Sequence, residues 1–146
     1  MIVEDITIGG QDLCEGWQGP VLHACRVPCW IRQIQPEGQR LAILPVEDDL
    51  YLNLDDVRDP RYLYVRTFQA GMDWLDLNQW ADPLVHCNKG LSRAPTIMLL
   101  WMARKRRISS FNFQSARHEF EFDRDYRPGR GIEEFLTTRW EELMHQ

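Results

Sequence analysis

Residues 84 to 96 read LVHCNKGLSRAPT. Cys87 follows a short apolar stretch, Arg93 lies six positions on, Gly90 sits between them, and an apolar segment, IMLLWMA, comes after. That spacing suits cleavage of a phosphate monoester by sulfur. The nucleophile has to be a thiolate near neutral pH, a form favoured by a helix N-terminus or a nearby cation. Both aids are available to Cys87, from a helix expected to start near Ala94 and from Arg93. The phosphoryl oxygens need donors. Successive backbone N–H groups in a tight loop form an anion-binding nest, and a helix start adds to it. Asn88, Lys89, Gly90, Leu91, Ser92 and Arg93 supply those groups. Gly90 allows backbone angles that a side chain resists. Arg93 offers a planar fork that can hold two phosphate oxygens, which lysine could not do. His86 is placed to orient the loop by hydrogen bonding. The competing reading is a buried, inert cysteine at the end of a strand. It requires the histidine, glycine, arginine and both apolar flanks to coincide by chance.

HCNKGLSRA, residues 86 to 94, resembles the His-Cys-x-x-Gly-x-x-Arg signature of the protein tyrosine phosphatase superfamily. The compact chain, with its signature in the second half, resembles the dual-specificity branch. ITIGGQ near the start looks like that branch's opening strand and turn, and LNLDDVRDP looks like its acid loop. The likeness is strong only at the signature. It implies a phosphomonoester hydrolase working through a cysteinyl-phosphate, on phosphotyrosine and also on phosphoserine or phosphothreonine. It implies no cofactor and no metal, since the loop neutralises the charge. The low-molecular-weight phosphatases place their Cys-x5-Arg near the N-terminus, and this chain does not resemble them.

The resemblance further implies a carboxylic acid that protonates the leaving group, from a loop about thirty residues before the cysteine. Asp55, Asp56 and Asp59 lie there. Asp56 is the choice, because it follows the apolar Tyr51–Leu54 run as the family's aspartate follows its strand. Asp55 and Asp59 stay open, and Asp59 before Pro60 is a good capping residue. Two departures stand out. Ala94 occupies the place where the family carries a serine or threonine that stabilises the departing thiolate, and Gly129 follows Pro128 where asparagine is common. Ala94 sustains a second reading, a weak or inactive module that binds phosphorylated partners without turnover. Ser92 is a candidate substitute.

The 146 residues are enough for one domain, 1–146, with a substantial core. Hydrophobic residues make up 44% and charged residues 27%, an ordinary globular balance. The net charge of −5 argues against coating a nucleic acid. The start, MIVEDITIGGQD, lacks a basic segment followed by an apolar block, and the longest uncharged run is too short for a membrane span. A cytoplasmic protein acting on a phosphorylated protein or a small phosphomonoester is expected, with a monomer as the default and no membrane or nucleic-acid partner. Lys89 either favours highly charged substrates such as phosphoinositides or RNA 5′-phosphates, or is simply solvated.

The elements that must position the loop follow from pattern. Ile6–Ile8 before Gly9-Gly10, Val21–Cys25, Leu41–Leu44 and Leu50–Leu54 read as strands, and 26–40 as mostly loop. Val65, Phe68, Met72 and Leu75 mark one face of a helix within Tyr62–Trp80. Leu84–His86 is a short strand leading into Cys87. A helix starts near Ala94, with Pro95 suited to its first turn. Phe113, Ala116 and Phe120 mark another helix, and Ile132 to Leu143 an amphipathic last one. The expected fold is α/β, a central mostly parallel sheet flanked by helices on both sides, with the loop at the carboxyl end of a strand.

Other features have plainer readings. Arg104-Lys105-Arg106-Arg107 complements the end of a helix dipole. His23, Cys25 and Cys29 could ligate a metal, but with no fourth partner nearby in the sequence they are read as core. Asp123, Arg124, Asp125, Arg127 and Arg130 read as surface ion pairs around a turn, from which an arginine could still reach a substrate. Trp74 and Trp80 are read as core.

Overall fold

In the computed structural model, which describes residues 1–33, 42–120 and 125–145, six strands form one sheet in the order β1-β2-β6-β3-β5-β4. They are β1 (Ile2–Val3), β2 (Ile6–Gly9), β3 (Val21–His23), β4 (Ile43–Val46), β5 (Asp49–Leu52) and β6 (Leu84–His86). The inner four, β2, β6, β3 and β5, run parallel. β1 and β4 close the two edges as antiparallel partners of β2 and β5.

Alternation along the strands sorts the side chains into two unequal layers. Ile6, Ile8, Leu22, Leu50, Leu52 and Val85 face the main core. That core is shared with α3 (Val65–Asn78), α4 (Arg93–Arg104), α5 (Phe113–Glu119) and α6 (Arg130–Met144). Tyr51 points the other way, toward Cys25, Cys29 and Trp30, with Cys14 and Leu44 packed against them. This thin second layer is built from α1 (Gln11–Cys14), the helical turn Arg26–Trp30 and α2 (Ile31–Gln33). Helices therefore lie on both faces, as the pattern predicts, but long ones on one face only.

α4 is the central helix. Every residue from Arg93 to Ala103 is buried, which is why its sequence is apolar nearly all round. Truncating a fully enclosed side chain such as Ile97 or Leu100 to alanine should cost about 2–5 kcal/mol. Pro95 falls in its first turn, where its missing N–H is harmless. α5 opens with a reciprocal cap: Asn112 Oδ1 accepts from Ser115 N at 2.8 Å, and Asn112 N donates to Ser115 Oγ at 3.3 Å.

Several boundaries differ from the pattern. The strand read as Val21–Cys25 ends at His23, because the chain then winds into the Arg26–Trp30 turn, where Trp30 N donates to the Cys25 carbonyl at 3.0 Å. Residues 26–33, read as loop, are helical instead; burying Cys29 and Trp30 against Tyr51 outweighs the local composition. Leu41, the first residue of the strand read over Leu41–Leu44, and the rest of the loop read over 26–40, residues 34–40, lie outside the described residues, as do Asp123 and Arg124. The helix read over Tyr62–Trp80 is a Pro60–Tyr62 3₁₀ turn followed by Val65–Asn78. Trp74 is buried, but Trp80 is 82% exposed. It lies beyond the end of α3, where the chain no longer faces the sheet, so the core reading of Trp80 is corrected. In the basic run, Arg104 ends α4 as expected, and its side chain is largely covered and paired with Asp73 at 3.0 Å and Asp76 at 2.9 Å.

Candidate active site

Cys87 follows β6 at the carboxyl end of the parallel strands, the place where open α/β sheets bind ligands. It is 2% exposed, and its N–H donates to the Gly9 carbonyl at 3.3 Å. The chain then curls through residues 88–92 into α4. Gly90 is the pivot. Its φ is +76°, and a β-carbon there would lie 2.8 Å from Gly9 C and 2.9 Å from Gly9 O. Both the left-handed angle and the close approach to β2 exclude a side chain.

Neighbouring elements hold the loop from outside. Gln11 N donates to the Asn88 carbonyl at 2.9 Å, and Arg127 N to the Leu91 carbonyl at 2.7 Å. Thr96 Oγ1 donates to the Ser92 carbonyl at 2.7 Å and pairs with the Tyr126 hydroxyl at 2.5 Å. Gly129 N donates to Ser92 Oγ at 3.0 Å. The Asn88 side chain donates to the Val27 carbonyl at 2.7 Å.

Arg93 is 7% exposed. Its Nη1 donates to the Leu54 carbonyl at 2.9 Å, and its Nη2 to Asn88 Oδ1. Its buried Nε has no partner among the described residues. Leu54 directly precedes Asp55 and Asp56, so the guanidinium ties the segment of candidate acids to the phosphate loop. A cavity of about 290 Å³ opens here, lined by Cys87, Asn88, Lys89, Leu91, Ser92, Arg93, Asp56 and Arg127.

The three candidate acids separate in space. Asp56 lines that cavity. Asp59 accepts from Arg61 N at 2.9 Å, capping the 3₁₀ turn, and pairs with the Arg61 guanidinium at 2.7 Å. Asp55 is exposed, and its Oδ1 accepts from Asp56 N at 3.1 Å. α6 is packed close behind Asp56, with Gly131 N donating to the Val57 carbonyl at 3.1 Å. The Gly129 that departs from the family pattern lies directly against the Asp56 carboxylate. Ala94 is fully enclosed in the main core.

Behind the loop lies a group that sequence spacing does not disclose. His86 is completely buried, and burial, with His23 next, pushes it down to about 4. Its Nδ1 is 3.4 Å from the Cys87 carbonyl, and its Nε2 is 2.8 Å from His23 Nδ1. Burial lowers His23 as well, against the pull of Asp49. Cys14 and Cys29 stand beside the two rings. Burial is the main reason Cys14 is pushed up to about 12. Hydrogen bonding with Cys25 is the main reason Cys29 is held down, to about 6. Partners absent from the nearby sequence are thus supplied by α1 and β6. No local pattern identifies Cys14, since α1 is a four-residue helix with no buried residue of its own.

No protein-family model matches the sequence, and no curated protein matches it. Solved structures do. The chain is similar to the PTP-2 phosphatase of Cydia pomonella, at 20% identity over 95% of this chain and 88% of that one, with a TM-score of 0.64. DUSP15 gives 14% identity over 99% and 90%, with a TM-score of 0.67. The human tyrosine phosphatase-like serine/threonine/tyrosine-interacting protein gives 19% over 98% and 95%, with a TM-score of 0.60. The architecture is therefore the dual-specificity-like fold of the protein tyrosine phosphatases, in agreement with the resemblance of the signature. No helix among the described residues is long and apolar enough to cross a membrane.

Proposed function

We propose that this chain is a cysteine-dependent phosphomonoesterase acting on phosphotyrosine, and also on phosphoserine or phosphothreonine, in proteins. The observation that carries the reading is one cavity lined together by Cys87, Arg93 and Asp56, with a buried Arg93 N–H beside it that has no partner among the described residues. In the first step the Cys87 sulfur attacks phosphorus and the bond to the leaving oxygen breaks. Asp56 passes its proton to that oxygen. Arg93 and the loop amides from Asn88 to Arg93 hold the remaining phosphoryl oxygens, which gain charge in the transition state. In the second step water attacks the cysteinyl-phosphate, Asp56 takes a proton from that water, and the sulfur departs as thiolate. Ser92 lines the same cavity. Gly129 N–H occupies its oxygen, a contact that does not use its hydroxyl proton, so Ser92 is the candidate to stabilise the departing sulfur in place of the missing hydroxyl at position 94.

Turnover of an aryl phosphate tests this. Cys87→Ser should abolish it, and, for a leaving group as basic as tyrosine, Asp56→Asn should lower it by about 10²–10⁴-fold, the usual contribution of a general acid. Wild-type protein that binds phosphopeptide tightly but releases no phosphate would instead identify a binding module. Ala94 favours that second reading, and one structural neighbour is itself named a phosphatase-like interacting protein.

A further inference from the structure

We propose that Cys14, His23, Cys29 and His86 form a tetrahedral zinc site on the thin-layer face of the sheet, directly behind the phosphate loop. One potential ligand atom from each lies within 4.8 Å of all the others. Zn–S bonds of 2.3 Å and Zn–N bonds of 2.0–2.1 Å put the ligand atoms of a tetrahedral site about 3.3–3.8 Å apart. The separations found between these atoms fall on either side of that range. Cys14 Sγ is 3.5 Å from His23 Nδ1 and 4.0 Å from Cys29 Sγ. Cys29 Sγ is 3.8 Å from His86 Nε2, and the two ring nitrogens are 2.8 Å apart. Sub-ångström side-chain shifts complete the tetrahedron.

The outer contacts are those that zinc-bound histidines use. A ligating imidazole gives its remote N–H to a carboxylate or a backbone carbonyl, which fixes the tautomer. His23 Nε2 lies 3.2 Å from Asp49 Oδ2, and His86 Nδ1 lies 3.4 Å from the Cys87 carbonyl. These contacts also pose a proton-counting problem. Two neutral rings carry two protons. Asp49, the Cys87 carbonyl and the ring-to-ring contact together call for three. With the remote nitrogens protonated, two lone pairs face each other at 2.8 Å, the arrangement a metal ion resolves. Gln11 Nε2 lies 3.5 Å from Cys29 Sγ, placed to donate to a thiolate once the thiol proton, now within reach of Gln11 Oε1 at 3.7 Å, is released.

Charge balances too. Two thiolates and two neutral imidazoles around Zn²⁺ sum to zero, which suits a buried site, and binding releases the two thiol protons to solvent. Two sulfurs and two imidazole nitrogens match zinc rather than the oxygen-seeking magnesium or calcium. Cys25 is not a ligand, because its Sγ donates to the Val27 carbonyl at 2.9 Å. The ligands come from α1, β3, the 26–30 turn and the end of β6. The ion would therefore staple the thin layer to β6, the strand that leads into Cys87.

The test is metal content of the full chain incubated with zinc alone and desalted. One zinc per chain is expected, retained in Cys25→Ser and Cys87→Ser and lost in Cys14→Ser, whose site is only half-buried and so least exposed to misfolding. A wild-type readout guards against a variant that does not fold. Cobalt alone should give the intense visible absorption of a tetrahedral thiolate site, and zinc should raise the thermal midpoint, reversibly with a chelator. Sub-stoichiometric zinc with a weak octahedral cobalt spectrum, zinc retained by Cys14→Ser, or a Cys14–Cys29 disulfide forming in the presence of zinc would each overturn the site.

Discussion

A β-carbon placed on Gly129 would lie 1.9 Å from Oδ1 of Asp56. The residue that departs from the family pattern at the last helix is thus the one that makes room for the proposed acid. Gly129 is also the N-cap of α6, so the carboxylate sits beside the positive end of a helix dipole. Gly129→Ala should push Asp56 away from the cavity. The expected result is a fall in kcat of about 10–10²-fold for alkyl phosphates, which need the proton, and little change for aryl phosphates with acidic leaving groups. Asp56→Asn added to that variant should cost little more. A uniform loss across leaving groups would break the link between the two residues.

Ala94 predicts slow breakdown of the phosphoenzyme. Rapid mixing with an aryl phosphate should show a burst of leaving group followed by a slower steady state. Ala94→Ser restores a hydroxyl next to Arg93 and should speed that steady state by about 10–10²-fold, the scale of one donor to a developing negative charge. A linear time course, unchanged by the substitution, would remove the idea.

Arg127 is an exposed side chain in the cavity wall whose backbone is tied to Leu91. Its charge should strengthen ground-state binding of dianionic substrates rather than the chemical step. Arg127→Ala should therefore raise KM by about 3–10-fold at low salt and leave kcat nearly unchanged, with the difference shrinking at high ionic strength.

Stability carries its own prediction. Asp76 accepts from Trp101 Nε1, Arg104 Nη2 and Lys105 Nζ, each at 2.9 Å. The Arg104 side chain is only 5% exposed. Burial works against ionising Asp76, but the hydrogen bonds of Lys105 and Trp101 and the charges of Lys105 and Arg104 outweigh it and lower its pKa. Asp76→Asn should destabilise by about 1–2 kcal/mol near neutral pH, less than for a fully enclosed pair because Asp76 itself is more than a third exposed. A carboxyl with a lowered folded-state pKa stabilises above the ordinary carboxylate range and loses that contribution as pH falls through the folded value. The gap between wild type and variant in urea melts should accordingly close in acid and stay constant from pH 5 to 8.

The parts legible in the sequence are local. The signature from His86 to Arg93 is one turn of chain between a strand and a helix, so its chemistry is written in consecutive residues. The apolar period of α6 and the full burial of α4 follow from patterns within single helices. The sheet order was not legible, because it depends on which strands meet across the chain. Position 80 illustrates the limit. A tryptophan favours burial on average, yet whether it is buried depends on where α3 ends relative to the sheet. The sequence favoured Asp56 and left Asp59 open, and the two separate because Asp59 turns to Arg61 while Asp56 turns to the cavity.

From residue types and spacing came the α/β class and the nucleophile candidate with its arginine, and the resemblance of the signature added a short list of acids. Folding decided which of the three carboxylates lines a cavity with Cys87. It also made Gly129 the neighbour of Asp56, and it gathered Cys14, His23, Cys29 and His86 around one point. The physical reason is range. Backbone angles and helical periodicity act over a few residues and leave a record in the sequence. Contacts between side chains as many as 103 positions apart, as between Glu4 and Arg107, are set by the packing of sheet and helices, which no local stretch encodes.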